Sequence, residues 1–325
     1  MEEMYLAPNL FASDILQKPT RDGFGDALVD LGKKDPRVVV LCADLTESTR
    51  VLAFKKAFPD RFIQLGVSEQ SMASIASGMA LAGKIPFIAS YAMFSPGRNW
   101  EQLRTCAGLQ NTPVKIAGAH AGVSVGPDGA THQAIEDIAI TRVIPNMTVV
   151  VPCDMHETRK ATVASVGVDG PVYIRFARDK SPVFTTTESP FKIGRANVLR
   201  EGNDVALIAC GPLVYQALLA AEVLSKKKIS ARVINCHTIK PLDEKTLLAA
   251  ARECGAVVSI EEHQVIGGLG GALSELFSQN YPVPMEFVGV KNRYGESGEP
   301  DELLAHFGLT APHIVEAAKR VLKRI

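Results

Sequence analysis

The segment QLGVSEQSMASIASGMALAGKIPFIAS, residues 64–90, carries two kinds of pattern in close succession. From Glu69, small and apolar residues recur at the spacing of a helix, and Ser68 stands where its side chain could cap that helix. From Ile85 a short apolar run follows, which is typical of a buried strand. A helix that leads directly into a buried strand is the repeating unit of an α/β fold.

Strand-like runs of the same kind recur through the first half of the chain. They are RVVVLCAD from Arg37, PVKIAGAH from Pro113, TVVVPCD from Thr148 and PVYIRFAR from Pro171. Helical patterns lie between them, as in MHETRKATVASVG from Met155. This alternation predicts a doubly wound, parallel sheet.

A stretch rich in Ser, Thr and Pro, DKSPVFTTTESPFKIG, interrupts the alternation after Arg178. Such a composition is typical of an exposed connection between domains. The pattern then resumes with strands DVALIACG, SARVINC, AVVSIEE and MEFVGV and with helices from Val214, from Asp243 and after Gly271. The sequence therefore predicts two consecutive α/β domains with mainly parallel sheets: an N-terminal extension of residues 1–18, a first domain of residues 19–185 and a second domain of residues 186–325.

Composition restricts the class of partner. The 325 residues include 35 basic and 35 acidic side chains, so no excess of charge points to nucleic acid or to an anionic membrane. No apolar run reaches the roughly 18 residues of a membrane span, the six cysteines form no CxxC pair, and the N-terminus lacks the basic start and apolar stretch of a signal peptide. We expect a cytoplasmic protein whose partners are small molecules or proteins.

The strongest polar constellation is His120, Asp128 and His132, spaced H-x7-D-x3-H just after a predicted strand. Nearby glycines such as Gly122 make a helix unlikely, and α/β proteins bind ligands beyond the carboxyl ends of their strands. A zinc site is disfavoured, because no third metal ligand stands at a compact spacing. Glu69 alone is less specific, since a glutamate at a helix start often only complements the positive end of the helix.

The segment GVSEQ around Glu69 resembles the one that carries the invariant glutamate of the transketolase family's pyrimidine-binding domain. Four further segments are similar to transketolase segments in the same order: ADLTEST from Ala43, SYAMF from Ser90, HAGVSVGPDGATHQAIED from His120 and IRFAR from Ile174. Two more, IKPLD from Ile239 and EEHQVIGGLGGAL from Glu261, resemble the transketolase C-terminal domain. The resemblance covers nearly the whole chain and implies a pyrimidine-binding domain followed by a transketolase C-terminal domain.

The resemblance implies thiamine diphosphate as cofactor. Glu69 would hydrogen-bond the aminopyrimidine ring, and a carboxyl group in a dry pocket suits proton sharing with a ring nitrogen. Tyr91, Phe94 and Trp100 would offer aromatic faces to that ring, with Trp100 placed across a length change at residues 95–98, SPGR. Asp44 would lie near the thiazolium ring.

The resemblance also implies the sugar site. His120 and His132 would contact substrate oxygens and take part in catalysis, and Asp128 would engage the hydroxyl beside the donor carbonyl. The sugar phosphate would be bound by residues that suit anion recognition: Arg21, Ser48 and Arg178.

The family's metal-binding motif, GDG, does not occur in this sequence. The nearest imitation, residues 168–170, precedes a predicted strand instead of following one, and the resemblance begins near the start of the chain. We therefore expect an N-terminal partner subunit that carries GDG and the divalent metal, Mg2+ or Ca2+, with two copies of each subunit. The chain would then be the C-terminal subunit of a split transketolase, inactive alone and serving the pentose phosphate pathway.

Four alternatives share parts of this pattern. Deoxyxylulose phosphate synthase typically lacks a histidine at the place of His120 and the segment around Asp44, and β subunits of the pyruvate dehydrogenase type lack the paired histidines and the phosphate arginines. A non-catalytic regulatory subunit is disfavoured because Glu69 is retained together with His120, Asp128 and His132. A fragment of a fused enzyme would have the same sequence.

Overall fold

The computed structural model describes residues 5–325, whose strands form three sheets. The strands are β1 Gln17–Pro19, β2 Val38–Cys42, β3 Phe62–Gln64, β4 Ile85–Tyr91, β5 Lys115–Ala119, β6 Thr148–Val150, β7 Val172–Arg175, β8 Lys180–Pro182, β9 Asn197–Arg200, β10 Val205–Ala209, β11 Ala231–Asn235, β12 Thr238–Lys240, β13 Val257–Gln264 and β14 Met285–Val290. The helices are α1 Thr20–Lys34, α2 Leu52–Ala57, α3 Glu69–Leu81, α4 Trp100–Gln102, α5 Asp137–Arg142, α6 Met155–Ser165, α7 Leu213–Ser225, α8 Glu244–Cys254, α9 Leu269–Asn280, α10 Pro300–His306 and α11 Ala311–Leu322, and α4 continues as a π-helical segment, Leu103–Gly108. None of the helices described is both long and apolar enough to cross a membrane.

The larger sheet has the strand order β12-β6-β7-β5-β4-β2-β3. All neighbouring pairs are parallel except β12 with β6. Strands β2 and β5 are buried along their whole length, as expected for a sheet covered by helices on both faces. In this order the carboxyl ends of β7, β5, β4 and β2 lie side by side along one edge.

The smaller sheet has the order β14-β13-β10-β11-β9 and is parallel apart from its edge strand β9. The predicted fold of two α/β domains with mainly parallel sheets is confirmed. The helix predicted after Gly271 is present, but α9 begins earlier, at Leu269. The backbone N–H groups of Leu269 and Gly270 donate to the buried Glu261 carboxylate at 2.7 and 2.8 Å, and a carboxylate at this position stabilises an earlier helix start.

The two halves of the chain share more than a connection. Strand β12 comes from the second half and extends the larger sheet, and one apolar core contains Leu41 and Ile116 together with Ile208 and Leu273. Residues 5–18 of the predicted extension pack on the second half: Ile15 belongs to its core, and the Tyr215 hydroxyl donates to a main-chain carbonyl of the extension at 2.9 Å. Residues 1–4 of that extension lie outside the described residues.

A buried ion pair joins the end of β7 to α5 and to the second domain. Arg175 and Asp137 are 4% and 1% exposed and lie 2.8 Å apart, and the Tyr173 hydroxyl donates to the same carboxylate at 2.6 Å. Arg175 also donates to the main-chain carbonyls of Ala134, at 3.2 Å, and Glu262, at 2.8 Å. The guanidinium is therefore bonded on several sides, and Asp137 Oδ2 accepts two bonds, whereas Asp137 Oδ1 has no partner among the described residues.

We predict that Asp137→Asn lowers the free energy of unfolding by about 3–5 kcal/mol, because it leaves a buried guanidinium without a counter-charge. Chemical denaturation followed by circular dichroism measures this. The exposed pair Lys319–Glu316 provides a control: Glu316→Gln should cost less than about 1 kcal/mol. Equal losses in the two variants would contradict a structural role for the buried pair.

Candidate active site

The predicted polar residues collect where adjacent parallel strands end. Asp44 follows β2, Tyr91 ends β4, His120 follows β5 and Arg178 follows β7. Parallel strands direct their carboxyl ends to one edge, so segments that are distant in sequence meet there. Arg21, in the first turn of α1, joins them, with its Nη1 lying 2.7 Å from His120 Nε2.

The contact with Arg21 fixes the tautomer of His120. A guanidinium can only donate, so Nε2 must accept and the proton of the neutral ring must sit on Nδ1. Burial, reinforced by the neighbouring positive charge of Arg21, lowers the pKa of His120 to about 3, so the ring is neutral near pH 7. Its Nδ1 is buried and has no hydrogen-bond partner within residues 5–325, which makes it a donor for a ligand oxygen.

Two of the three predicted aromatic residues surround these histidines. The rings of Tyr91 and His120 have centroids 4.0 Å apart, the rings of Phe94 and His132 5.3 Å, and Tyr91 and Phe94 lie nearly parallel at 6.0 Å. Trp100 is not part of this cluster: its indole N–H donates to the Ile140 carbonyl at 2.6 Å, and its ring packs against the shared apolar core. The length change before Trp100 thus turns its side chain towards the core.

The arginines form the positive side of the site. Arg178 Nη1 donates to the Val125 carbonyl at 2.6 Å and lies 3.6 Å from an Asp128 carboxylate oxygen. Arg21 donates to the main-chain carbonyl of Ser48 at 2.9 Å, so Ser48 joins the site through its backbone. Burial and the nearby Arg50 lower the pKa of Arg21, as expected where several guanidinium groups converge. Such a cluster suits an anionic ligand.

Glu69 begins α3, and only 2% of its side chain is exposed. Both carboxylate oxygens accept from Arg98 Nη1, at 3.2 and 3.1 Å, and the same guanidinium lies over the Phe94 ring, 4.1 Å from its centroid. The predicted cap is wrong: the Ser68 hydroxyl donates back to the Leu65 carbonyl at 2.6 Å and makes no bond to the helix.

Asp44 lies near this group at the end of β2. Its backbone is in the left-handed region, with φ 60°, and its carboxylate accepts from Gln64 Nε2 at 3.1 Å. His120 also has a positive φ, 54°. Side chains other than glycine rarely adopt this conformation outside sites where the surrounding structure imposes it.

The loop after β5 is held by the second domain. Residues Val123–Asp128 form a 3-10 turn broken at Gly126, where the sequence predicted an irregular stretch. The Gln133 side-chain amide donates to the carbonyls of Val123 at 3.1 Å, Gly126 at 3.2 Å and Glu296 at 2.8 Å, so one side chain ties the loop to the second domain. At Gly122 a Cβ would collide with the Glu262 carboxylate, which accepts from the Ser124 N–H.

Sequence reasoning missed Arg98 and Gln133. Arg98 stands in the SPGR segment, where its spacing gave no hint of contact with Glu69, 29 residues away. Gln133 directly follows the predicted site residue His132, and this adjacency was the only sequence feature that pointed to Gln133. No group of three His, Cys, Asp or Glu side chains suited to a metal was found between residues 5 and 325.

Comparison with known proteins assigns both halves of the chain. Residues 17–183 match the family model described as "Transketolase, pyrimidine binding domain", and residues 194–314 match "Transketolase, C-terminal domain". The chain is 41% identical to the putative transketolase C-terminal section of Methanocaldococcus jannaschii, over 95% of this chain and 96% of that protein. It is 42% identical to the 6-deoxy-6-sulfo-D-fructose transketolase subunit SqwH of a Clostridium species, over 94% of each.

A solved structure described as a split gene transketolase, inactive beta4 tetramer, is similar with a TM-score of 0.88 and 44% identity. The match covers 94% of this chain and 98% of that one. At 44% identity the likeness extends beyond the fold to the sequence.

We predict that Gln133→Leu loosens the loop while keeping the fold. Removing the amide takes one hydrogen-bond donor from each of the buried carbonyls of Val123 and Gly126, so the free energy of unfolding should fall by about 1–3 kcal/mol. Hydrogen exchange measured by mass spectrometry should rise in residues 122–129. Gln110→Leu, at an exposed position, should leave both quantities unchanged, and unaltered exchange in Gln133→Leu would mean that the loop is held by other contacts.

Proposed function

Because this chain belongs to the transketolase family, as a subunit of a split enzyme, we propose that it forms the pyrimidine and sugar side of a thiamine diphosphate active site. In this role it would transfer a two-carbon ketol unit from a ketose phosphate to an aldose phosphate. The observation that carries the proposal is the buried Glu69 carboxylate, joined through Arg98 to the Phe94 ring, which in turn lies nearly parallel to Tyr91. Neutral His120, held by Arg21, lies against the Tyr91 ring.

The residues present fit the cofactor. When bound, thiamine diphosphate supplies the carbon nucleophile that breaks and re-forms a carbon–carbon bond next to a carbonyl. Phe94 and Tyr91 present aromatic faces that orient a flat ring and exclude water from it. Glu69, with only 2% of its side chain exposed, would hydrogen-bond a nitrogen of the ring and exchange a proton with it. Asp44 stands at the neighbouring strand end.

The sugar would lie between the histidines and the arginines. His120 Nδ1–H donates to a substrate oxygen, and His132, whose Nδ1 lies 2.9 Å from the Thr131 hydroxyl, contacts a second one. Asp128 is oriented by Arg178 and accepts from a sugar hydroxyl. Arg21 and Arg178 bind the phosphate at the far end of the sugar.

We propose phosphorylated sugars of the pentose phosphate pathway as substrates, which makes the assembled enzyme a transketolase of the EC 2.2.1.1 type. The converging guanidinium groups support an anionic sugar. The Clostridium relative is named for a sulfonated sugar, and a sulfonate offers a similar set of oxygens to arginine. Comparing xylulose 5-phosphate with 6-deoxy-6-sulfofructose as donors distinguishes the two substrate classes.

The proposed partner is an N-terminal transketolase subunit that carries GDG and the divalent metal, Mg2+ or Ca2+, with two copies of each chain. Two findings support it: the relative from Methanocaldococcus jannaschii is named a C-terminal section, and the similar split-gene tetramer is described as inactive. A cytoplasmic location stays a prediction from composition.

We predict that the purified chain is inactive alone and gains activity with its partner. The cofactor's diphosphate carries several negative charges, whose burial needs a metal and hydrogen-bond donors. Adding the cognate N-terminal subunit, thiamine diphosphate and Mg2+ should produce ketol transfer from xylulose 5-phosphate to ribose 5-phosphate in a coupled assay. Efficient transfer by the chain alone, with copurifying protein excluded by mass spectrometry, would refute the split-site proposal.

We also predict that Glu69→Gln reduces turnover of the assembled enzyme by about 100-fold or more, because an amide cannot exchange a proton with the ring. Circular dichroism and analytical ultracentrifugation should show a normal fold and normal assembly. Glu244→Gln is the matched control, since Glu244 also begins a helix but is exposed. Near-wild-type turnover of Glu69→Gln at saturating cofactor would remove Glu69 from this role.

A further inference from the structure

Glu69, Tyr91 and Phe94 are the residues to which the proposed function assigns the pyrimidine ring, and we call them the pyrimidine site. Another group of the same chain already contacts two of them. Arg98 places its guanidinium over the Phe94 ring, 4.1 Å from the centroid, and donates to both oxygens of the Glu69 carboxylate. The pyrimidine site is therefore in contact with a planar cation of the protein itself.

Guanidinium and aminopyrimidine groups have the same recognition chemistry in this setting. Each is flat and stacks on an aromatic face. The guanidinium presents N–H groups to a carboxylate in its own plane, and the aminopyrimidine does so once its ring nitrogen carries a proton. At 4.1 Å from the Phe94 centroid, the guanidinium lies at stacking distance on one face of that ring, and it bonds the Glu69 carboxylate at the same time. A pyrimidine that stacked on the same face and bonded Glu69 would need the space that the guanidinium occupies.

From this geometry we infer that Arg98 is a placeholder for the cofactor's aminopyrimidine, which occupies the pyrimidine site until the cofactor displaces it. The inference rests on the proposed function. Its physical reason is the cost of an ionised carboxylate that is buried without a partner, since Glu69 has only 2% of its side chain exposed.

The other end of the contact is suited to release. The side chain of Arg98 is 48% exposed, whereas that of Arg175, in the permanent pair with Asp137, is 4% exposed. The Arg98 side chain is already half exposed, so it can rotate into water without breaking buried contacts other than those with Glu69 and Phe94. Its backbone stays fixed, because the Arg98 N–H donates to the Phe94 carbonyl at 2.8 Å. The ordered neighbour Asn99, fully buried and bonded to the Glu69 carbonyl at 3.1 Å, keeps the segment in place as the guanidinium moves.

A placeholder reduces the apparent affinity for the cofactor by the fraction of molecules in which the site is open. Removing it should tighten binding. If the site is open in one molecule in ten, Arg98→Ala would lower the apparent Kd for thiamine diphosphate about tenfold. The lysine of Arg98→Lys keeps the charge but not the flat, stacked geometry, so its Kd should fall between those of wild type and Arg98→Ala.

The test is isothermal titration of thiamine diphosphate, with Mg2+, into the chain assembled with its N-terminal subunit. Arg104→Ala is the matched control. Arg104 is exposed in the π-helical segment that follows, and its side chain makes no ion pair with the described residues. The Kd of Arg104→Ala for thiamine diphosphate should therefore equal that of wild type. An Arg98→Ala complex that binds the cofactor equally or more weakly overturns the inference. If wild type binds no thiamine diphosphate, the proposed function itself fails.

Two further measurements keep the inference testable if Arg98→Ala assembles poorly. In the isolated chain, Arg98→Ala should lower the midpoint of thermal unfolding, and millimolar methylguanidinium should raise that midpoint again. The midpoint of Arg104→Ala should not change when methylguanidinium is added. If the Arg98→Ala midpoint does not recover, Glu69 does not need a planar cation. Crystal structures of the wild-type complex with and without thiamine diphosphate should show Arg98 on Phe94 only in the second. Arg98 still bonded to Glu69 beside bound cofactor would refute displacement.

Discussion

Parallel pairing of β7, β5, β4 and β2 is the constraint from which the candidate site follows. A parallel strand cannot return by a tight turn, so each connection crosses the sheet and every strand ends at the same edge. The main-chain hydrogen bonds between these strands thereby set the spacing of Asp44, Tyr91, His120 and Arg178. Their neighbour Arg21 belongs to a helix that starts at the same edge, and its bond to His120 adds a charge to the group.

The second domain contributes to this site without supplying the side chains that face a ligand. Its main chain accepts from Gln133 and Arg175, and its Glu262 carboxylate accepts from the loop after β5. Each contact satisfies a buried polar group, and breaking one would strand a donor or acceptor. The position of Asp128 therefore depends on contacts with the second domain, and the two domains also share an apolar core and the edge strand β12.

The sequence predicted the parts of the structure that depend on local pattern. Buried parallel strands are short apolar runs, so β2, β4, β5, β6 and β7 and the four parallel strands of the second sheet, β10, β11, β13 and β14, could be located from periodicity. With them came the strand ends that carry His120 and Arg178. The hydrogen bonds that polar side chains make with backbone carbonyls could not be predicted. Ser68 bonds backwards to Leu65, and Trp100 faces the core, because tertiary contacts outweigh local preferences at these positions.

Neither edge strand β12 nor the hydrogen bonds of the Gln133 amide were predicted, because pairing across a domain boundary leaves no local sequence pattern. Arg98 shows the limit most clearly. Its sequence neighbours indicate a loop of unusual length, but its contact with Glu69 depends on how the segment before α4 packs on the start of α3, where Asn99 bonds the Glu69 carbonyl. Of the residues named by resemblance, Trp100 faces the core, and the roles of the others stay predictions. The contacts of Arg98 and Gln133 with their neighbours could not be predicted from the sequence.

Asp137 and Glu69, two of the buried acidic groups of the first domain, illustrate how a buried carboxylate can be paired in two ways. Asp137 is enclosed by Arg175 and Tyr173, both themselves buried, so its partners cannot exchange without unfolding the junction between the domains. Glu69 is equally inaccessible, but its partner stands half in water and is held by one aromatic face. A charge that must stay paired in the isolated chain and become available to a ligand needs such a partner: strong enough to offset burial, and exposed enough to leave. The difference in side-chain exposure between Arg175 and Arg98 thus distinguishes an arginine that stabilises the fold from one that, in the proposed role, a ligand can displace.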